Sequence, residues 1–131
     1  AKAIDRLLNA FPTDEQEGVR SVLSDTLKAV LAQQLLRRKG GGRIAALEVL
    51  LGSPALGSLI REGKTHQIAN IIAMGKKQGM IAMDDALFNM LSMDKVDPEA
   101  AYEKAIEKKV FRKRIKEELG IIIEAGDEEE E

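Results

Sequence analysis

Arg61-Glu62-Gly63-Lys64-Thr65-His66 gathers two strong cations, an acid, a hydroxyl and an imidazole in six consecutive residues, and each invites a chemical reading. Gly63-Lys64-Thr65 has the ending of a phosphate-binding loop, where backbone N–H groups cradle phosphate oxygens, the lysine reaches the outer phosphates and the hydroxyl holds magnesium. Such a loop needs a glycine five positions ahead of Gly63, and Ser58 stands there; Gly57 misses by one. It must also follow a strand and open a helix, whereas Pro54 and Gly63 delimit a helix in front of these residues. The triplet therefore reads as a connector between two helices, with Thr65 capping the second. His66 is the only histidine in the chain, and no cysteine or carboxylate cluster accompanies it. Neither a three-ligand metal set nor a general acid–base pair can be assembled around it, which leaves packing or capping in the first turn of a helix.

The elements that must position these residues follow from pattern. At 131 residues the chain is the size of one domain, with 44% apolar and 32% charged residues and no cysteine, so thiol chemistry, disulfides and cysteine-bound zinc are excluded. A net charge of −2 gives no general attraction to nucleic acid or acidic membranes, and no apolar run is long enough to span a bilayer. The chain opens on Ala1 in what reads as the middle of a longer protein, with no signal-peptide pattern. From Glu15 to Gln33, Val19, Val22, Leu23, Thr26, Leu27, Val30 and Leu31 recur at helical spacing. Two apolar runs flanking Gly40-Gly41-Gly42 predict a β-hairpin, whose second strand, Ile44 to Leu51, is apolar on both faces apart from Glu48.

Ser53, Pro54 and Gly63 then supply an N-cap, a first helical residue and a left-handed C′ position for a short helix. Its apolar face collects Ala55, Leu56, Leu59 and Ile60, and Ser58, Arg61 and Glu62 project outward. Further helices are expected after the Thr65 cap, carrying Ile68, Ile71, Ile72 and Met74 and ending near Gly79, from Met83 to Met93, after Asp97-Pro98-Glu99 with Tyr102, Ala105 and Ile106 inward, and from Lys108 to Lys116. The last is rich in lysine and arginine, but Phe111 is its lone aromatic, so base stacking has little to build on. Asp127-Glu128-Glu129-Glu130-Glu131 is a like-charge run of the kind that stays disordered.

Pro54 to His66 also resembles the signature helix of the type IV pilus retraction (twitching motility) ATPases, usually written A-I-R-N-L-I-R-E. Ala55, Leu59, Ile60, Arg61 and Glu62 match it and Leu56 is a conservative change, while Gly57 and Ser58 stand where that pattern has arginine and asparagine. The likeness continues at Ala3-Ile4-Asp5-Arg6, Phe11-Pro12, Gly42 to Leu50, and Gly79-Met80-Ile81-Ala82-Met83-Asp84, which is similar to the family's G-M-Q-T-M-D.

The resemblance implies an α/β fragment, mainly α: the C-terminal part of a RecA-like ATPase core with a β-hairpin, followed by a helical C-terminal bundle. Residues 1–52 would be the edge of that core, 53–120 the helical domain with the signature helix, and 121–131 an acidic tail. It implies a hexameric motor at the cytoplasmic face of the inner membrane, peripheral at the pilus base, partnered by its own copies and the pilus platform protein. ATP and magnesium would bind upstream in the parent protein; this chain would hold no cofactor and no nucleic acid, and would couple motion rather than hydrolyse ATP. As a fragment it could dimerise or exchange its hairpin. The site residues carried over are Ala55, Leu59, Ile60, Arg61 and Glu62 as the transmitting helix, Lys64 and His66 adjoining it, and Met80, Met83 and Asp84 as packing support. A stand-alone helical interaction or regulatory module is the alternative; a pilus-assembly or type II secretion ATPase is disfavoured by the missing zinc-binding cysteines. With no complete phosphate loop, the chain alone is expected to give no specific heat on titration with magnesium-ATP. A micromolar dissociation constant, about −8 kcal/mol, overturns that expectation.

Overall fold

The computed structural model describes residues 2–124. Ala1 and residues 125–131, with the acidic run expected to be disordered, lie outside the described residues. The described chain is mainly helical with one two-stranded antiparallel hairpin, and it divides into two compact units. One unit takes residues 2–33 and 47–82, the other residues 34–46 and 83–124. Each unit is discontinuous in sequence, because the strands of the hairpin contribute residues to both.

In the first unit, α1 (Lys2–Asn9) buries Ile4 and Leu8, one turn apart, and α2 (Gln16–Thr26) lays Val19 and Leu23 against the same core. The expected helix from Glu15 to Gln33 stops early, at Thr26, and Ala29 already opens a strand. Two hydroxyls bond back to the helix there, Ser24 Oγ to the Ser21 carbonyl at 2.7 Å and Thr26 Oγ1 to the Val22 carbonyl at 2.7 Å. Such back-bonding favours a helix end, and Leu27 turns extended. The apolar run beyond it fits either period, and pairing with a partner strand decides in favour of β.

That pairing joins β1 (Ala29–Arg37) to β2 (Arg43–Leu51), two strands of nine residues each. The connection is closed by Arg38 N–H to the Gly42 carbonyl at 3.0 Å and Gly41 N–H to the Arg38 carbonyl at 3.1 Å. Gly40, Gly41 and Gly42 have φ of +83, +113 and +78°, values that L side chains rarely tolerate, which is why three glycines stand in a row. On β2, Ala46, Glu48 and Leu50 are buried. The opposite face does not match the expectation of a strand apolar and covered on both sides: Leu47 is 42% exposed and, on β1, Leu31 is 69% exposed. Ala45, Val49 and Leu51 on the Leu47 side of β2 are only partly covered. Val49 and Ile81 exchange backbone bonds at 2.9 and 3.0 Å, adding an isolated antiparallel bridge to β2.

The first unit closes with α3 (Pro54–Arg61) and α4 (Ile68–Met74), the latter flanked by 3₁₀ turns at Thr65–Gln67 and Lys76–Gln78. Leu50, Leu56, Ile60, Ile68, Ile72 and Met80 meet in its core. The second unit packs α5 (Met83–Ser92), α6 (Pro98–Lys104) and α7 (Lys108–Leu119) around Leu87, Leu91, Val96, Ala101, Phe111 and Ile115. Ile106 is exposed rather than inward, because α6 ends at Lys104 and the chain is extended at Ala105. Within the stretch expected to begin the tail, Ile123 is buried and Ile121 packs against the same core. The hairpin turn is tied down inside this unit: Lys39 donates its N–H to the Lys95 carbonyl at 2.9 Å and pairs through Nζ with Asp94. The bond to Asp94 is the main cause of a Lys39 pKa above the usual lysine value. Ile115→Ala, at a fully buried site, should cost about 2–5 kcal/mol. Leu31→Ala should stay within about 0.5 kcal/mol; chemical denaturation of the two variants measures both.

Candidate signature-helix site

Local sequence builds α3 with both ends satisfied. Ser53 Oγ accepts from Leu56 N–H at 3.1 Å, and Pro54 occupies the first turn, where a missing N–H costs nothing. At the other end Gly63 takes φ +69°, its N–H bonds the Ile60 carbonyl at 3.2 Å, and Lys64 N–H bonds the Leu59 carbonyl at 2.9 Å. This is the paired termination that a left-handed glycine permits.

The buried face differs from the apolar count. Leu56, Gly57 and Ile60 are buried, Leu59 is half-buried and Ala55 is exposed. The helix is turned so that Gly57, which a hydropathy pattern scores as nothing, faces inward. A methyl group on Gly57 would stand 2.9 Å from the Ser24 carbonyl oxygen of α2, closer than side chains pack. At Gly52 the same group would overlap the Leu27 carbonyl oxygen.

Arg61 is not a free outward side chain. Its Nη1 donates to Ser24 Oγ at 3.0 Å and Asp25 Oδ1 at 3.3 Å, and Nη2 reaches Ser58 Oγ at 3.5 Å. Glu62 pairs with Lys64 at 2.9 Å, both half exposed. A polar hollow of about 440 Å³ lies alongside, lined by Ser24, Asp25, Lys28, Ser53 and Arg61 among others. Thr65 makes no capping bond with its side chain, because residues 65–67 form a 3₁₀ turn that Lys64 precedes. His66 sits on that turn exposed to solvent, so it neither packs nor caps. Among the described residues no three histidine, cysteine or acidic side chains come together as a metal site.

The three expected supports separate. Met80 is buried with Leu56 and Ile60, its thioether filling the space that a side chain at Gly75 would need. Met83 is buried in the core of the second unit. Asp84, in that unit too, accepts from Ile106 N–H at 2.8 Å and Glu107 N–H at 3.0 Å, one on each carboxylate oxygen. It thus serves the two residues leading into α7, a role with no local sequence signal because its partners lie 22 and 23 positions away. Much of the basic character of α7 is also used internally. Lys108 Nζ donates to the Tyr102 and Glu103 carbonyls at 3.1 and 2.8 Å, at the end of α6. Arg114 lies 3.8 Å from the centre of the Phe88 ring and bonds Asp85 at 2.6 Å. Partial burial lowers the pKa of Arg114, but the bonds and charges of Asp85 and Glu118 outweigh it, so the net shift is upward.

No protein-family model matches the chain. It is 42% identical over 106 residues to a twitching motility protein of Neisseria gonorrhoeae, covering 80% of this chain and 28% of the relative. The type IV pilus retraction ATPase PilT of Pseudomonas aeruginosa is 42% identical over 105 residues, 80% of this chain and 30% of that one. Among solved structures, the pilus retraction motor PilT with bound ADP matches with a TM-score of 0.72 and 33% identity over 83% of this chain and 30% of the motor. The chain is homologous to the PilT-type retraction ATPases. It spans under a third of the length of the PilT-type relatives it matches, so most of each lies beyond the likeness.

Asp84→Ala should remove the partner of two backbone N–H groups and cost about 1–3 kcal/mol. Urea denaturation against the parent chain measures it, and an unchanged midpoint would show that water replaces the carboxylate without loss.

Proposed function

We propose that this chain is the C-terminal part of a hexameric ATPase that retracts type IV pili, and that it transmits movement rather than hydrolysing ATP. The observation that carries the reading is the agreement of sequence and fold with PilT, at 42% identity and a TM-score of 0.72. In this reading residues 1–52 are the edge of a RecA-like core and 53–120 the helical domain. ATP and magnesium bind in the parent protein upstream, as the ADP-bound relative suggests for the nucleotide.

Surface chemistry supports a junction with further protein at this edge. An apolar groove of about 560 Å³ runs between α1 and α2, lined by Leu7, Phe11, Val19, Val22 and Leu23. Together with the exposed Leu31 and Leu47 it is the kind of surface that a core edge presents when its covering layers belong to the rest of the motor. The same surface could bring two fragments together, by pairing or by hairpin exchange. No described helix is long and apolar enough to cross a membrane. The reading places the motor in the cytoplasm, against the platform protein at the pilus base, with its own copies as ring partners. Ala55, Leu59, Ile60, Arg61 and Glu62 form its output helix, continued by Lys64 and His66, with Met80, Met83 and Asp84 in support.

Deleting the parent gene should leave pili assembled but unable to retract. The full-length gene should restore retraction and residues 1–131 alone should not. Normal retraction after the deletion defeats the motor reading; rescue by the fragment alone defeats the division of labour and favours a self-contained interaction module.

A further inference from the structure

The end of α2 and the face of α3 approach each other more closely than side chains allow. Gly57 is buried, with the Ser24 carbonyl oxygen 2.9 Å and Arg61 Nη1 3.7 Å from the position of its absent Cβ. Gly52, one residue ahead of the Ser53 cap, meets the Leu27 carbonyl in the same way. Two glycines therefore admit the carboxyl end of α2 onto α3. Arg61 closes the contact from the far end of α3, one nitrogen of its guanidinium shared between Ser24 Oγ at 3.0 Å and Asp25 Oδ1 at 3.3 Å. It brings a positive charge to the negative end of the α2 dipole.

We propose that Gly57, Arg61 and the Ser24–Asp25 step form a joint that carries movement of α2 into the signature helix, with Gly57 and Arg61 as positioning residues for pilus retraction. An exposed ion pair alone contributes little. What gives this one weight is the backbone contact beneath it: bulk at 57 must move the Ser24 carbonyl and carry the hydroxyl and carboxylate away from the guanidinium. A glycine that touches neither charge thus controls whether they meet. Arginine is also required over lysine, since one ammonium cannot reproduce the planar fork that spans Ser24, Asp25 and Ser58. The contact itself is independent of the motor reading, while its role in retraction rests on it.

Two measurements test the proposal. In the purified chain, Asp25→Ala, Arg61→Ala and the double variant form a thermodynamic cycle; the single effects on the unfolding constant should fail to multiply by about threefold or more, and should multiply simply in a Gly57→Ala background. If Gly57→Ala does not fold, Ser24→Ala with Arg61→Ala forms a second cycle, whose single effects should likewise fail to multiply, by about twofold or more. In the full-length motor, Arg61→Ala and Asp25→Ala should each slow retraction at least about threefold with ATP turnover within about twofold. The exchanged pair, Asp25→Arg with Arg61→Asp, should recover at least about half the speed. Independent effects in the cycle, or normal retraction with Asp25→Ala in cells where deletion of the gene abolishes it, overturn the joint and leave the motor reading standing. Normal retraction after the deletion removes the motor reading, and the joint with it as a retraction device.

Discussion

A hairpin whose turn accepts only glycine fixes what the rest of the chain can bury. Three consecutive positive-φ residues, Gly40 to Gly42, close the turn through Arg38 and Gly42, and that closure sets which residues of β1 and β2 share a face. A slip of one position would exchange the faces and turn Ala46 and Leu50 to solvent in place of Leu47. Both hydrophobic cores draw on this choice: Leu36 and Ala46 belong to one, Leu50 to the other. Glu48 is the cost of it, a carboxylate carried inward on the same side as its apolar neighbours.

The same economy of bulk operates around α3. Gly57 contributes no hydrophobic area, yet it is buried between Leu56 and Ile60 because the neighbouring helix end occupies the volume of a side chain. Helix propensity alone would disfavour glycine at this position by about 1 kcal/mol relative to alanine. Close approach of a carbonyl overrides that preference, as it does for Gly52 just before the helix. Where the PilT-type signature carries an arginine at this place, this chain has the residue that leaves the most room, and the remaining arginine, Arg61, reaches the neighbour instead.

Local signals were legible and distant ones were not. The Gly40–Gly42 turn, the Ser53 cap, Pro54 and the left-handed Gly63 could be read from the sequence because each acts on residues within a few positions. The boundary at Thr26 could not, since Val30 and Leu31 satisfy both a helical and a strand period and only pairing with β2 separates them. The inward face of α3 was misjudged by one position because a glycine adds nothing to an apolar stripe. Arg61 and Asp84 find their partners 36 or 37 and 22 or 23 residues away, so no window of sequence could assign them. The family resemblance drew attention to α3 but could not supply these contacts, since they depend on how this chain closes around its own glycines.

Asp84 has a bearing on where α7 can begin. The residues before α7, Ile106 and Glu107, offer no hydroxyl or amide to begin a helix, and the Glu107 side chain makes no cap. Starting a helix is its least favourable step, because several dihedrals are fixed before the first bond repays them. Here the N–H groups of the two residues leading into α7, Ile106 and Glu107, are met by a carboxylate on α5, so the entry to the helix is held from a distance. The start of α7 therefore depends on a side chain more than twenty positions back, so a change that displaces α5 also releases the beginning of α7.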